Sequence, residues 1–475
     1  MMALKETIRR NARSHGDEER RTLDPDTHLL RQGARRAARG ESEAGAARFL
    51  AGISPGGALR FFSDPLGGRV ALDLSASSDF ARLRSSLPEI QAALAELELD
   101  GWLLYDLHAR NSVSGGLAGL GDLTRRWFVW LPARGHPVAV VHGIELGPWA
   151  AWPWTTVEYV GWRSLESRLA KALRGTDAVA MEISRGDAVP ALDLVPLGVV
   201  ELVERLGPSV VTSAELVSRF HSAWDEEGLA SHLRASKVVA DVAARAFQRA
   251  AAAARDGSPV HEGDLRRWIL GALREGGLSV GADTIVAIGP NAADPHYAPG
   301  ETGAVIARGE TLLIDLWGKE SDGAVYADQT WMGHLAATIP ERVATLFAVI
   351  RDGRDAAVSL LRERAAAGRP TAGWEVDDAT RSVVRERGWD EAFVHRTGHS
   401  IDRDLHGTGP NIDDLETRET RLLARGVGFS IEPGIYLRGD LGMRTEINVY
   451  MGADGPRVTT PDPQHEVRAL PEADA

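Results

Sequence analysis

The chain has 475 residues and a formal net charge of −13 at pH 7, which argues against general binding to the phosphate backbone of nucleic acids. It has no cysteine, which excludes disulfides, thiolate metal ligands and a cysteine nucleophile. No apolar run approaches the roughly 18 residues of a membrane span, and the start, MMALKETIRR, lacks the apolar core of a secretory signal. We therefore expect a cytoplasmic protein that binds neither nucleic acid nor membranes.

Two regions of different character make up the first half of the chain. Residues 1–75 are rich in Arg, Ala, Gly and acidic residues without a sustained apolar period, which predicts a mobile N-terminal extension. Residues 76–216 alternate between an amphipathic helix, FARLRSSLPEIQAALAELEL, and apolar strands such as DGWLLYD, which predicts an α/β domain. Four tryptophans at 149, 152, 154 and 162 either pack in this domain, as we favour, or cover the active site of a neighbouring subunit.

The second half is predicted to be an α+β domain over residues 217–466, followed by a tail over 467–475. Amphipathic patterns predict helices over residues 225–256, 261–277, 341–366 and 374–387. We expect these helices to lie outside a curved antiparallel sheet.

The stretch TLLIDLWGKESDGAVYADQTW, residues 311–331, predicts two strands joined by a turn at Ser321-Asp322-Gly323. If the chain folds back at Ser321–Asp322, Asp315 faces Asp328 with Cβ atoms about 4.5–5.5 Å apart. Two carboxylates this close repel, so one must stay protonated unless a cation binds. The alternative is that both aspartates lie at strand ends and face solvent.

Three further motifs follow this hairpin. His399 lies in HRTGHSID, Glu432 in GFSIEPG and Glu446 in GMRTEIN. The ordered series Asp, Asp, His of GH, Glu of EPG and Glu of R-x-E resembles the metallopeptidase family of Xaa-Pro dipeptidase (prolidase), aminopeptidase P and methionine aminopeptidase. The resemblance implies an α+β fold: a C-terminal pita-bread catalytic domain with a smaller creatinase/prolidase-type α/β N-terminal domain. Methionine aminopeptidase lacks that N-terminal domain, which argues against it.

The resemblance implies a centre of two divalent metal ions. Four carboxylates and an imidazole, without sulfur, suit Mn²⁺ first, with Co²⁺, Fe²⁺ or Zn²⁺ as alternatives, and two dications balance four buried negative charges. By resemblance, Asp328 and Glu446 bridge the metals, Asp315 is a terminal ligand, and His399 and Glu432 bind the other metal.

The same resemblance assigns roles outside the ligand set. His296, His406 and Glu432 are implied to be catalytic, with His296 at the scissile amide and His406 steadying the tetrahedral intermediate. His395 and Arg444 are placed near the proline subsite, although Arg444 could instead support the ligands.

The sequence also departs from the family pattern. Asp315 and Asp328 are separated by more residues than usual, but the parity of the strand face is kept. Asp402 stands where a Gly is usual, and Gly407 where a Glu is usual. These changes put substrate specificity in doubt more than metal binding.

We expect a dinuclear metal-dependent hydrolase, as a homodimer, that cleaves the Xaa-Pro bond at the N-terminus of short peptides. Aminopeptidase and dipeptidase activity both remain open. One alternative is hydrolysis or lyase cleavage of a small non-peptide substrate, as in ectoine hydrolase relatives. The other is a non-catalytic binding protein on the same fold, which retention of all five ligands disfavours.

Overall fold

The computed structural model describes residues 80–258, 260–281 and 284–470, together with the backbone of two short strands before them. The chain divides into two compact units, Met1–Ser75 and Ala76–Ala475. In the first unit, β1 (Phe61–Ser63) pairs antiparallel with β2 (Arg69–Ala71). The rest of the predicted extension, residues 1–75, lies outside the described residues.

A mixed six-stranded sheet with helices on both faces forms the first part of the second unit. All six residues of its first strand in chain order, Gly101–Asp106, are buried, as is typical of a strand covered on both faces. The elements are β3 Gly101–Asp106, β4 Trp127–Pro132, β5 Val138–His142, β6 Thr155–Tyr159, β7 Ala178–Met181 and β8 Ser209–Thr212, with α1 Ala81–Glu96, α2 Ser112–Ala118, α3 Trp162–Ala172 and α4 Leu197–Arg205. The strand order is β6-β5-β4-β3-β7-β8, and alternate residues of β3 enter two separate cores.

The tryptophans divide into packed and exposed members. Trp149 and Trp152 are buried around Phe80, with ring centroids 5.8 and 5.0 Å from it. Trp154 packs edge-on against Trp152 at 4.9 Å. Trp162 is 56% exposed. The preferred interpretation, packing, is therefore confirmed for the first three.

Further helices follow the six-stranded sheet. They are α5 Ala214–Phe220, α6 Glu226–Arg255, α7 Glu262–Glu275, α8 Glu341–Ala366 and α9 Gly373–Glu386. The predicted helices are confirmed to within two residues at each end. Asp225 is the N-cap of helix α6: its side chain accepts a hydrogen bond from Gly228 N at 2.7 Å. Among the residues described, none of the helices combines the length and apolarity needed to cross a membrane.

Two four-stranded sheets and a hairpin complete this unit. Their strands are β9 Ile285–Ile288, β10 Thr311–Gly318, β11 Ala327–His334, β12 Ser400–Ile401, β13 Gly428–Ile431, β14 Gly434–Leu437, β15 Leu441–Arg444, β16 Ile447–Gly452, β17 Gly455–Val458 and β18 Arg468–Ala469. The sheet orders are β18-β11-β10-β9 and β12-β13-β16-β17, and β14 pairs with β15. Because β18 pairs with β11, the segment predicted to be a tail begins with a strand; residues 471–475 lie outside the described residues.

The register of the β10–β11 hairpin corrects the prediction. Asp315 pairs with Thr330, and Asp328 pairs with Trp317, so the two aspartates are not directly opposite. The shift is two residues, which keeps both aspartates on one face of the sheet as diagonal neighbours. The alternative with both at solvent-facing strand ends is wrong, because both are buried.

Tertiary contacts explain the shifted register. The backbone N–H of Tyr326 donates to Asp402 O at 3.1 Å, and His232 Nδ1 donates to Tyr326 O at 2.6 Å. Tyr326 therefore makes its hydrogen bonds outside the hairpin, and the connecting loop is longer than the turn that the sequence predicts.

Candidate metal centre

The predicted ligands come from strands and strand ends that meet at one cavity. Asp315 and Asp328 lie on the hairpin, and Glu446 immediately precedes β16. Ser430 connects the other two segments: its hydroxyl accepts from His399 N at 2.9 Å and donates to Glu432 Oε1 at 3.0 Å. The structure thus brings together all five residues that the motifs single out.

Three of the five form a compact buried group. Asp328, His399 and Glu446 each offer one ligand atom within 4.8 Å of the others, and all three are buried. His399 Nδ1 lies 3.0 Å from Ser400 O, so this nitrogen carries the proton and donates it. Nε2 faces Asp328 Oδ2 at 3.6 Å and Glu432 Oε1 at 3.4 Å. Burial opposes protonation of His399, but these two carboxylates outweigh it and raise the pKa of His399, so a metal ion that binds Nε2 displaces a proton.

Two carboxylate oxygens in this group have no donor. Asp328 Oδ1 and Glu446 Oε1 are buried and accept no hydrogen bond from any described residue. A buried, unpaired carboxylate oxygen is costly. A cation among Asp328, His399 and Glu446 would satisfy both oxygens, so the residues present fit a divalent metal ion.

Asp315 lies at the edge of the group and is paired with Arg444. The Arg444 guanidinium contacts Asp315 Oδ2, and its Nε donates to Thr330 Oγ1 at 3.0 Å. Thr330 Oγ1 is also 3.0 Å from Asp315 Oδ1 and 2.9 Å from Glu446 Oε2. These contacts hold the Arg444 guanidinium against Asp315 and, through Thr330, connect it to Glu446.

The protonation of the carboxylates follows from their burial. Desolvation raises the pKa of Asp315, raises that of Asp328 to about 7, and raises that of Glu446 well above its ordinary value. Burial acts in the same direction on Glu432, but the nearby charges of His399 and Arg444 outweigh it and lower the pKa of Glu432. The site without metal therefore holds protons, which a metal ion must displace.

The three other histidines line the same cavity, which has a volume of about 750 Å³. His395 Nε2 lies 2.8 Å from the Tyr436 hydroxyl, and burial lowers the pKa of His395 to about 4. The ring of His406 packs edge-on against His399 with centroids 4.4 Å apart; burial and then the charge of His399 lower the pKa of His406 to about 4. His296 is exposed, and its backbone N–H donates to Asp294 Oδ1 at 3.1 Å.

Sequence reasoning missed several residues of the site. Thr330 connects Asp315, Glu446 and Arg444, and the buried Tyr436 hydroxyl lies between His395 and Arg444 Nη1, which is 3.3 Å away. The alternation of side chains along a strand could have identified Thr330, which is two residues after Asp328 and so lies on the same face. No comparable pattern distinguishes Tyr436.

Two of the departures from the family pattern, Asp402 and Gly407, lie next to each other. The Asp402 carboxylate accepts from Asp404 N at 2.8 Å and from Thr408 N at 3.1 Å, which closes the loop that carries His406. A Cβ on Gly407 would lie 2.6 Å from Asp402 Oδ2. A side chain at position 407 would thus crowd the Asp402 carboxylate unless that carboxylate shifted.

The cavity is thus lined by a buried set of carboxylates and an imidazole that fits a divalent metal ion. Residues 234–453 match the sequence profile of metallopeptidase family M24. A Mycobacterium tuberculosis protein named "Probable dipeptidase PepE" is 29% identical over 351 residues, which is 72% of this chain and 84% of that protein. An Xaa-Pro dipeptidase of Lactobacillus delbrueckii subsp. lactis is 29% identical over 199 residues, which is 42% of this chain and 50% of that protein.

A solved structure agrees with these relatives. The crystal structure of dipeptidase PepE from Mycobacterium ulcerans has a TM-score of 0.64 and 26% identity, and covers 83% of this chain and 99% of its own. Residues 234–453 therefore carry the match to metallopeptidase family M24, and the chain is a hydrolase with the pita-bread fold. This match implies peptide substrates and a divalent metal, for which the buried Asp328, His399 and Glu446 provide a binding group.

Proposed function

We propose that this metallopeptidase uses two divalent metal ions to cleave the Xaa-Pro bond at the N-terminus of short peptides. The observation that carries the proposal is the pair of buried carboxylate oxygens without donors, Asp328 Oδ1 and Glu446 Oε1, beside Nε2 of His399. The relative named Xaa-Pro dipeptidase supports the specificity.

The charge of the site supports two metals. Four carboxylates, those of Asp315, Asp328, Glu432 and Glu446, converge on one cavity, where Arg444 is the only permanent cation in contact with them among the described residues. One dication would leave the buried group net negative, and a second removes that excess. Asp315, Asp328, His399, Glu432 and Glu446 would hold the two ions. Mn²⁺ is our first choice for this oxygen-rich set.

When bound, two such metals supply the charge that activates water and polarises a scissile carbonyl. The chain's own residues orient the substrate. His296, His395 and His406 line the cavity as hydrogen-bonding groups, and the low pKa values of His395 and His406 keep both neutral at pH 7. Arg444 holds Asp315 in place, and this contact supports a positioning role over a direct substrate contact.

The organisation of the chain remains part of this proposal. We assign residues 76–216 to an N-terminal domain and 217–466 to the catalytic domain, in a cytoplasmic homodimer. Light scattering of the purified chain tests the dimer directly.

A small peptide panel tests the specificity. Enzyme reconstituted with Mn²⁺ is given Ala-Pro, a longer Xaa-Pro-Yaa peptide and a matched Xaa-Ala dipeptide. We expect cleavage before proline at a rate at least about tenfold above that of the Xaa-Ala control. Equal cleavage of the control, or no cleavage of any peptide by the metal-loaded enzyme, would overturn the Xaa-Pro assignment.

A further inference from the structure

Arg266 is a cation of the cavity wall that the proposed mechanism does not use. It lies on α7, is partly buried and lines the cavity that contains the metal-binding group. Its Nε is buried and has no hydrogen-bond partner within residues 80–258, 260–281 and 284–470. A guanidinium with a desolvated, unsatisfied N–H favours an anionic partner.

The other two arginines of the cavity are already engaged. Arg444 contacts Asp315, and Arg396 Nη1 lies 3.8 Å from Glu416 Oε2. Arg266 forms no ion pair with any residue that the structure describes. It is thus the cavity cation with charge available for a ligand.

The acid one helical turn before Arg266 does not neutralise it. Glu262 is fully buried, and its carboxylate accepts from the Tyr297 hydroxyl at 2.8 Å, Ile288 N at 2.9 Å and Ala304 N at 2.7 Å. These donors occupy the Glu262 oxygens, so the usual pairing between positions i and i+4 is absent here.

The cavity that Arg266 shares with the ligands has an apolar wall that suits a small apolar ring. Ile285 pairs directly with Asp315 across β9 and β10, and Trp317 is two residues along β10 on the same face. Both side chains line the cavity together with Arg266. A substrate with an apolar ring next to a carboxylate matches this arrangement, and the C-terminal proline of a dipeptide has both.

We propose that Arg266 binds the free α-carboxylate of the substrate, which makes the enzyme a dipeptidase. A guanidinium can bind a carboxylate through two parallel hydrogen bonds, and this geometry favours a chain end over a continuing peptide bond. The inference rests on the proposed Xaa-Pro function and narrows its substrate to dipeptides.

The test compares two substrates and three variants of the metal-loaded enzyme. The substrates are Ala-Pro and its C-terminal amide; the variants are Arg266→Gln, Arg266→Lys and, as a matched control, Arg267→Gln. Arg267 is the exposed neighbour on the same helix and pairs with Asp264. We expect Arg266→Gln to lower kcat/KM for Ala-Pro about 10- to 100-fold, mainly through KM, with little change for the amide.

Arg266→Lys should recover part of the lost kcat/KM, because lysine keeps the positive charge but cannot form the two parallel hydrogen bonds. Arg267→Gln should match the wild type. If Arg266→Gln fails to fold, the Lys variant decides the question by losing activity on Ala-Pro but not on the amide. Equal losses on both substrates, or equal wild-type cleavage of both, would overturn the inference while leaving the Xaa-Pro function intact. No wild-type cleavage of either substrate would instead reject the proposed function.

A side-chain carboxylate on the first residue of the substrate is the other negatively charged group that would fit Arg266. Glu-Pro amide tests it, since this substrate carries a side-chain carboxylate and no α-carboxylate. We expect its cleavage to be unaffected by Arg266→Gln. A loss as large as that for Ala-Pro would show that Arg266 binds a side chain instead of the chain end.

Discussion

At the scale of single residues, Asp328 and Glu446 set the electrostatics of the centre. Each has a buried oxygen without a donor, and burial makes the ionised form of each side chain unfavourable. Without metal, the two carboxylates are partly protonated. With metal, they can ionise and bind it. The same residues that would bind a metal ion therefore disfavour the ionised site without one.

Asp328→Asn should separate these two effects. We expect activity to be lost and the stabilisation by Mn²⁺ to disappear, a stabilisation of about 2.7 kcal/mol for an intact site at 100 times Kd. The unfolding free energy of the metal-free protein should be unchanged or higher, since an amide costs less to bury than a carboxylate. Thermal unfolding with EDTA and with Mn²⁺ measures both.

Asp322→Asn is the control for that variant, because Asp322 is exposed in the loop of the same hairpin. It should retain the wild-type response to Mn²⁺. If the Asp328→Asn protein is still stabilised by Mn²⁺ as strongly as the wild type, Asp328 is not a metal ligand.

At the scale of secondary-structure elements, connecting loops determine where the site residues stand. Asp402 closes the loop that carries His406, and the same residue's carbonyl fixes Tyr326 at the end of the β10–β11 loop. His232 on α6 contacts the other side of Tyr326. The hairpin with two ligands and the loop with His406 are thus held by one small set of contacts.

Gly407→Ala tests the contact between the two unusual residues. The added Cβ would lie 2.6 Å from Asp402 Oδ2, which we expect to cost about 1–3 kcal/mol of unfolding free energy. In an Asp402→Gly background the same change should cost clearly less, as a double-mutant cycle by urea denaturation can measure. Additive effects would contradict direct contact between the two positions.

His232 predicts how stability depends on pH. Burial lowers the pKa of His232 to about 4, whereas an unfolded histidine titrates near pH 6.5. Between these values the unfolded chain binds a proton that the folded chain does not, so the unfolding free energy falls as the pH is lowered. The His232 contribution is about 1.4 kcal/mol per pH unit inside this window.

The measurement is the unfolding free energy of wild type and His232→Gln from pH 7 to pH 4.5. Other groups titrate in both proteins, so the difference isolates His232. We expect the variant to be less stable at pH 7 and the gap to narrow as the pH falls. A constant gap would mean that His232 titrates alike in the folded and unfolded protein.

At the scale of the whole molecule, the sequence predicts the architecture and the ligand set better than the detailed contacts. The spacing of apolar residues predicts the helices of the second half to within two residues, and the spaced motifs identify the five residues that line the cavity together. The hairpin register is missed because it depends on Tyr326 bonding to distant parts of the chain. Arg266 is missed for a related reason: a single arginine on an amphipathic helix has no local signal that it faces a cavity.

The N-terminal region gives a prediction at the same scale. The composition of residues 1–75 does not support a core of its own, so a chain that starts at Ala76 should keep its activity within about twofold. Turnover and solubility of the shortened chain measure this. A large loss of either would mean that the region packs on the catalytic unit or completes an interface.

The number of metal ions bound per chain tests the central claim most directly. Purified protein is stripped with chelator, dialysed against Mn²⁺ and measured by elemental analysis, with Glu446→Gln treated in parallel. The dinuclear centre predicts two Mn²⁺ per wild-type chain and a clear loss in the variant, because Glu446 is one of the five residues that would hold the metals. A wild-type stoichiometry that stays near zero after reconstitution with Mn²⁺ and with Co²⁺ would contradict it.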